Sequence, residues 1–242
     1  MSSPEGWGEP LYDRVLTGVP AGSTVLDVGC GPGVFAAFAL ARGMRVTGLD
    51  ADRSALARAE RTAPAARFVL GDAHQLDGEY DVVALVQVLA HVTNPVKVLQ
   101  EAGRVGGLVR ATVWGREEES DVRLFGEALA PFLPPRAERR TPAGPPPLTD
   151  PERFRKVACL AGLEVVALDE VTSPFAYPDE DSLVGPLLQS DIGRFAANRA
   201  GPAAVREAVL ETFAPRRDGE GYRLQNLFRV LDARPTPTPA PT

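Results

Sequence analysis

Short runs of Val, Leu and Ala alternate along the chain with stretches whose apolar residues recur at helical spacing, an order that predicts a parallel sheet covered by helices. Five runs read as strands: Thr24 to Val28, Arg45 to Leu49, Arg67 to Leu70, Asp81 to Val86 and Gly107 to Trp114. Most are too uniformly apolar for a sheet with one wet face, so burial on both faces is expected. Val34 to Arg42 and Asp52 to Arg61 read as helices between them, the first closed by Gly43 where a helix C-terminus favours glycine. Asn94-Pro95 and Asp150-Pro151 are N-cap and first-turn pairs that open helices Val96 to Arg104 and Glu152 to Ala161. Glu164 to Val171 and Tyr222 to Ala233 read as two later strands. The expected fold is α/β, a Rossmann-like seven-stranded mostly parallel sheet with helices on both faces and inserted cap segments.

Two segments break the alternation. Residues 116–149 hold Pro131, Pro134, Pro135, Pro142, Pro145, Pro146 and Pro147, too many for a long helix, and predict an ordered loop or short helix. Residues 174–220 carry two helical patterns, near Asp179 to Gln189 and Pro202 to Phe213. Each insertion is a candidate substrate cap or a plain surface excursion. The remainder, 1–233, reads as one domain, and the Pro/Thr segment 234–242 as a mobile tail.

Composition narrows the function classes. The chain of 242 residues is 44% hydrophobic and 24% charged, as expected of a globular domain. A net charge of −6 provides no general positive field for a phosphate backbone, so a nucleic-acid substrate is disfavoured. The opening residues lack a basic region followed by an apolar one, and no apolar run approaches the roughly 20 residues of a membrane span. A cytoplasmic location without membrane partners is therefore expected. The two cysteines, Cys30 and Cys159, suggest neither a disulfide framework nor a metal cluster, and no metal is expected.

The stretch VLDVGCGPG, Val25 to Gly33, ends a strand in an acid, Asp27, and three glycines, Gly29, Gly31 and Gly33. Glycines permit a tight turn and let a ligand lie on bare backbone, while the following helix N-terminus offers free N–H groups. The next strand ends at Asp50, about 20 residues after the first glycine, where a carboxylate accepts ribose hydroxyls. The third strand ends in Gly71, Asp72 and Ala73, at the edge where open α/β sheets bind ligands, and Asp72 is placed to accept from an adenine amino group. A dinucleotide-binding domain shares strand, turn and acid, but here the third glycine of G-x-G-x-x-G is replaced by Val34.

With these motifs the sequence resembles the class I S-adenosylmethionine-dependent methyltransferases, whose first motif matches Val25 to Gly33 nearly residue for residue. The resemblance implies that Asp27 faces the amino-acid end of the cofactor in a loop that suits Cys30, that Asp50 binds the ribose, that Ala51 packs on adenine, and that Asp72 and Ala73 meet its edge. Asp81 to Val92 resembles the fourth strand and its turn, where backbone around Val86 and Gln87 lies near the methionine moiety. Trp7 to Tyr12, Leu148 to Val166 and Gly221 to Ala233 are similar to the family's lead-in, late helix and strand, and last strand.

That resemblance implies S-adenosylmethionine as cofactor and S-adenosylhomocysteine as product; together with the acidity and the cap segments it points to a small, secondary-metabolite acceptor. Positioning supplies much of such catalysis, so a conspicuous catalytic side chain is not required. His91 is the candidate general base or, alternatively, a residue that orients its turn; His74 is expected at the cofactor rim. Aromatic residues of the insertions, among them Phe125, Phe175 and Tyr177, are candidates for an acceptor pocket or for packing. Two alternatives stay open: a non-methylating reaction such as cyclisation on the same fold, and a nonenzymatic S-adenosylmethionine-binding protein.

Overall fold

The computed structural model describes residues 6–134 and 147–236. In chain order the elements are α1 (Glu9–Leu16), β1 (Thr24–Val28), α2 (Val34–Ala41), β2 (Arg45–Asp50), α3 (Arg53–Thr62), β3 (Arg67–Leu70), β4 (Tyr80–Val86), α4 (Pro95–Val105), β5 (Gly106–Trp114), α5 (Arg123–Leu129), α6 (Pro151–Leu160), β6 (Leu163–Tyr177), α7 (Glu180–Gln189), α8 (Asp191–Ala200), α9 (Pro202–Phe213), β7 (Arg217–Asp218) and β8 (Gly221–Pro235). They fall into two compact units, a larger one from described residues 8–115, 147–171 and 228–236 and a smaller one from 6–7, 116–134 and 172–227.

The sheet runs in the order β3, β2, β1, β4, β5, β8, β6, with the two-residue β7 paired only to β8. β1 to β5 are parallel, and β8 enters antiparallel beside β5, Val109 opposite Ala233 through Trp114 opposite Phe228. All seven expected strands are present, and β7 is the eighth. Alternation along each strand divides the side chains between two faces. Leu26, Val28, Val83, Leu85, Val109 and Ala111 form one buried layer with Leu99 of α4 and Phe154 of α6. Asp27 has the opposite parity to Leu26 and Val28 and is buried on the other face. Tyr12 of α1 packs edge-on against Phe35 and Phe38 of α2, at 5.4 and 5.3 Å between ring centroids. The helix starts follow their caps: Asp52, Asn94 and Asp150 accept the N–H groups of Ser54, Lys97 and Arg153.

The smaller unit holds α5, α7, α8, α9 and β7. The first insertion is a short helix flanked by 3-10 turns, as the prolines require, and residues 135–146 lie outside the described residues. The second insertion differs from expectation. It contains three helices, because α8 is continued through Gly193, a weak helix former whose Cβ would run into the Leu187 carbonyl. Its first residues, 174–177, belong to β6. The helix α1 was also not expected from its pattern, and its buried Leu11, Tyr12, Val15 and Leu16 supply the packing that holds it. At the other end β8 continues through Arg234 and Pro235, and Thr236 bonds the Gly162 carbonyl, so residues 234–236 of the expected tail are ordered against the fold; residues 237–242 lie outside the described residues.

A buried ion network fixes the antiparallel join. Arg110 on β5 stands directly opposite Asp232 on β8, with Nη2 donating to Oδ2 at 3.2 Å, while Nη1 donates to the Val15 carbonyl at 2.6 Å. Arg14 donates to Asp232 at 3.0 Å and, on its outer side, to Asp169. Burial pushes the Arg110 pKa down, against the charge of Asp232 that holds it up. Asp232→Ala would strand a buried guanidinium and is expected to cost about 3–5 kcal/mol in urea denaturation. Asp169→Ala, which removes a carboxylate that is 49% exposed, should cost less than about 1 kcal/mol.

Candidate functional site

The carboxyl ends of β1 to β4 converge on a cleft of about 490 Å³ in the larger unit. β1 passes into a turn in which Gly29, Gly31 and Gly33 have φ of +71°, +54° and +82°, values that any side chain would strain. At Gly33 a Cβ would also come within 2.9 Å of the Ala59 Cα on α3, so the start of α2 lies tight against that helix. The turn hangs on β2: Gly29 and Cys30 donate to the Leu49 carbonyl at 2.7 and 3.0 Å. Asp50 completes it, Oδ2 accepting from Gly31 N–H at 2.7 Å and Oδ1 from Asp52 N–H at 2.9 Å. A carboxylate oxygen has two acceptor sites, so each keeps one for a further donor.

Beneath the turn lies Asp27, 1% exposed, whose Oδ2 has no partner among the described residues. Burial, assisted by the charge of Asp50, pushes its pKa up to about 7. Burial and then the charges of Asp27 and Asp50 push the Cys30 thiol up to about 12, so it stays protonated and unreactive. Tyr12 is pushed up to about 12 by burial and then by Asp27.

At the end of β3, Asp72 accepts through Oδ1 from His74 N–H at 2.9 Å and meets His74 Nδ1 at 2.7 Å, bonds that hold its own pKa down. The loop that follows is anchored from α4: Glu101 accepts from Leu76 N–H at 3.2 Å, Lys97 at 2.8 Å and Arg104 at 2.7 Å. Arg104 and then Lys97 pull the Glu101 pKa down to about 2. At the end of β4, Gln87 has φ +59°, the only non-glycine with positive φ among the described residues. Such a conformation costs about 1–3 kcal/mol and persists only where its surroundings enforce it. Here the enforcing group is the buried Thr112, whose Oγ1 accepts from both Gln87 N–H and Nε2 at 3.0 Å.

Of the ten positions expected to meet a cofactor, Gly29, Asp50, Ala51, Asp72, Ala73 and Gln87 line the cleft, and so do His74 and His91. Cys30, Gly31 and Gly33 belong to the glycine turn, and Asp27 to β1 beneath it, without lining the cleft. His91 is exposed at the end of a 3-10 turn, Leu89–His91, its N–H bonded to the Val88 carbonyl at 2.9 Å. Gln87 also lines a second cavity, of about 330 Å³, with Leu89, Pro95, Thr112, Trp114, Leu148 and Arg153. This cavity, Thr112 and Glu101 were not singled out by the sequence. The Glu101 pairs at i−4 and i+3 were visible there, but the bond to Leu76 spans 25 residues and carries no local signal.

Residues 26–109 match the family model for a methyltransferase domain. The chain is 36% identical over 112 residues to an uncharacterized methyltransferase of Mycobacterium sp. (strain JLS), covering 43% of this chain and 44% of that one. It is 32% identical over 154 residues to a ubiquinone biosynthesis O-methyltransferase of Shewanella halifaxensis, covering 54% and 65%. The matched regions thus span less than two thirds of these curated relatives. Among solved structures, a putative methyltransferase from Bacillus halodurans C-125 superposes with a TM-score of 0.55 at 18% identity, over 96% of this chain and 99% of that one. Magnesium protoporphyrin IX methyltransferase from Synechocystis PCC 6803, solved with bound S-adenosylhomocysteine, gives 0.56 at 15% identity, over 95% and 84%. The (4+2)-cyclase SpnF gives 0.55 at 22% identity, over 94% and 81%. At these identities the structural matches show the fold. Among the described residues no helix is long and apolar enough to cross a membrane, and no group of three or more His, Cys, Asp or Glu is placed to hold a metal.

Asp27 gives a signed pH dependence. Its folded pKa of about 7 lies above the ordinary value of 3.8, so the folded chain holds the proton more tightly. The linked stability is full below about pH 4 and is lost as pH rises through 7. Asp27→Asn should flatten that decline and leave the ligand-free variant about 1–3 kcal/mol more stable than the parent at pH 8. Melting curves from pH 5 to 8 test this; an unchanged slope in the variant would assign the titration to another group.

Proposed function

We propose that this chain, which belongs to the class I S-adenosylmethionine-dependent methyltransferase family, binds S-adenosylmethionine in the cleft at the ends of β1 to β4 and transfers its methyl group to a small molecule. The observation that carries this reading is Asp50: after fastening the glycine turn, each of its oxygens keeps an acceptor site, the pair that two vicinal ribose hydroxyls need. Other groups fit the rest of the molecule. Asp27 Oδ2 is a buried acceptor in want of a donor, which an ammonium supplies. Ala51 and Ala73 are small enough to leave room for a flat base, and Asp72 Oδ2 is unengaged when Oδ1 holds His74. Gly29, Cys30, Gly31 and Gly33 form the bare turn over which the amino-acid end lies, with Gln87 also in the cleft lining.

When bound, S-adenosylmethionine would supply an electrophilic sulfonium methyl, whose transfer to the acceptor would leave S-adenosylhomocysteine. The residues position the partners and exclude water, which suffices for several kcal/mol of barrier reduction. His91 takes the acceptor's proton in this reading, and its exposure at the cleft lets that proton pass to solvent. The acceptor is a small molecule of secondary-metabolite type, bound without metal or nucleic acid. The organisation proposed is one methyltransferase domain interrupted by insertions.

Calorimetry should give micromolar binding of S-adenosylmethionine and S-adenosylhomocysteine, weakened about 10-fold or more by Asp50→Ala. Absence of binding to both would overturn the proposal. With an acceptor in hand, mass spectrometry should find one methyl gained per cofactor consumed, whereas product formed without cofactor demethylation would favour a cyclisation-type reaction. His91→Gln should lower kcat by about 100-fold or more if His91 is the base; full activity across pH would remove it from that role.

A further inference from the structure

Four arginines of the larger unit are not exposed: Arg14, Arg110, Arg153 and Arg229. Three have carboxylate partners, Arg14 and Arg110 sharing Asp232 and Arg229 donating to Glu170 at 3.0 Å. The guanidinium of Arg153 has no partner among the described residues, and the residue's one bond is its backbone N–H on the Asp150 cap. A half-buried cation without a counterion is costly unless a ligand provides one. Arg153 lines the second cavity, whose walls are otherwise mostly apolar: Leu89, Pro95, Val113, Trp114 and Leu148. The Trp114 indole is held against Phe228, its ring centroid 4.4 Å away, and so presents a fixed wall.

We infer that this cavity receives the methyl acceptor and that Arg153 selects acceptors bearing a carboxylate on an otherwise apolar, aromatic-sized body. The inference rests on the function proposed above. Gln87 belongs to both linings, so a molecule filling the cavity meets the contents of the cleft at that residue. A carboxylate suits Arg153 better than a phosphate does. Among the described residues Arg153 is the one cationic side chain in the lining, sufficient for a monoanion bound through two parallel N–H donors, whereas a dianion in apolar surroundings would keep an uncompensated charge. The low polarity of the walls strengthens that pair and penalises a neutral isostere.

The test uses the full chain with two probes, 1-naphthoate and 1-naphthamide, titrated by calorimetry with and without saturating S-adenosylhomocysteine. Naphthoate is expected to bind about 10-fold or more tightly than the amide. Arg153→Gln should abolish that ratio, and Arg153→Lys should restore part of it, both leaving S-adenosylhomocysteine affinity unchanged. Leu148→Trp, which fills the cavity, should block naphthoate while sparing the cofactor product. Equal binding of the two probes, no binding of naphthoate at millimolar concentration, or a ratio that survives in Arg153→Gln would each overturn the inference. Failure of S-adenosylhomocysteine to bind would instead strike the function proposed above, and the titration without it still reports on Arg153.

Discussion

The bond from Gly31 N–H to the Asp50 carboxylate ties together the ends of two neighbouring parallel strands, and much of the site follows from it. Because Val28 stands opposite Leu49, Asp50 lies one residue beyond the last paired position of β1, level with the turn. Holding the turn there forces the chain back on itself through left-handed conformations, which is why three glycines are spaced along it. The same carboxylate accepts from Asp52, the residue that caps α3. One side chain thereby sets the entry to both α2 and α3. The acid beneath, Asp27, is left buried with no donor to Oδ2 among the described residues.

The layout of the sheet was legible because its signals are local. Uniformly apolar runs marked the strands, and Asn94-Pro95 and Asp150-Pro151 marked helix starts by their own chemistry. The acids and glycines of the cleft were legible for the same reason, each standing at a strand end. What escaped was set by distance in sequence. Gln87 was expected near the cofactor, but not its left-handed conformation, which Thr112, 25 residues on, enforces. Arg153 looks like any surface cation of an amphipathic helix, and its significance depends on its guanidinium having no partner among the described residues. The helices α1 and α8 are short and mixed in composition, and they owe their form to what they pack on.

Buried charge is handled in two ways in the larger unit. Around Asp232 the charges are mutually satisfied, and the network serves register, with Arg110 and Asp232 facing each other across the antiparallel pair. Around the cleft and the second cavity, Asp27 Oδ2 and the Arg153 guanidinium lack partners among the described residues. In the function and acceptor site proposed above, these two groups are where a ligand of complementary charge gains binding energy.

The placement of β8 between β5 and β6 has a consequence for how the chain is made. β6 precedes β8 in sequence yet has no seat on the sheet until β8 has docked. During synthesis the edge of β5 therefore stays open, with its apolar residues and free backbone groups exposed, while more than a hundred residues are added. A nascent chain in that state offers a template for unwanted strand pairing. The charged Arg110 midway along β5 is then more than a partner for Asp232: before that partner exists, it is a gatekeeper that makes the waiting edge a poor match for another apolar strand.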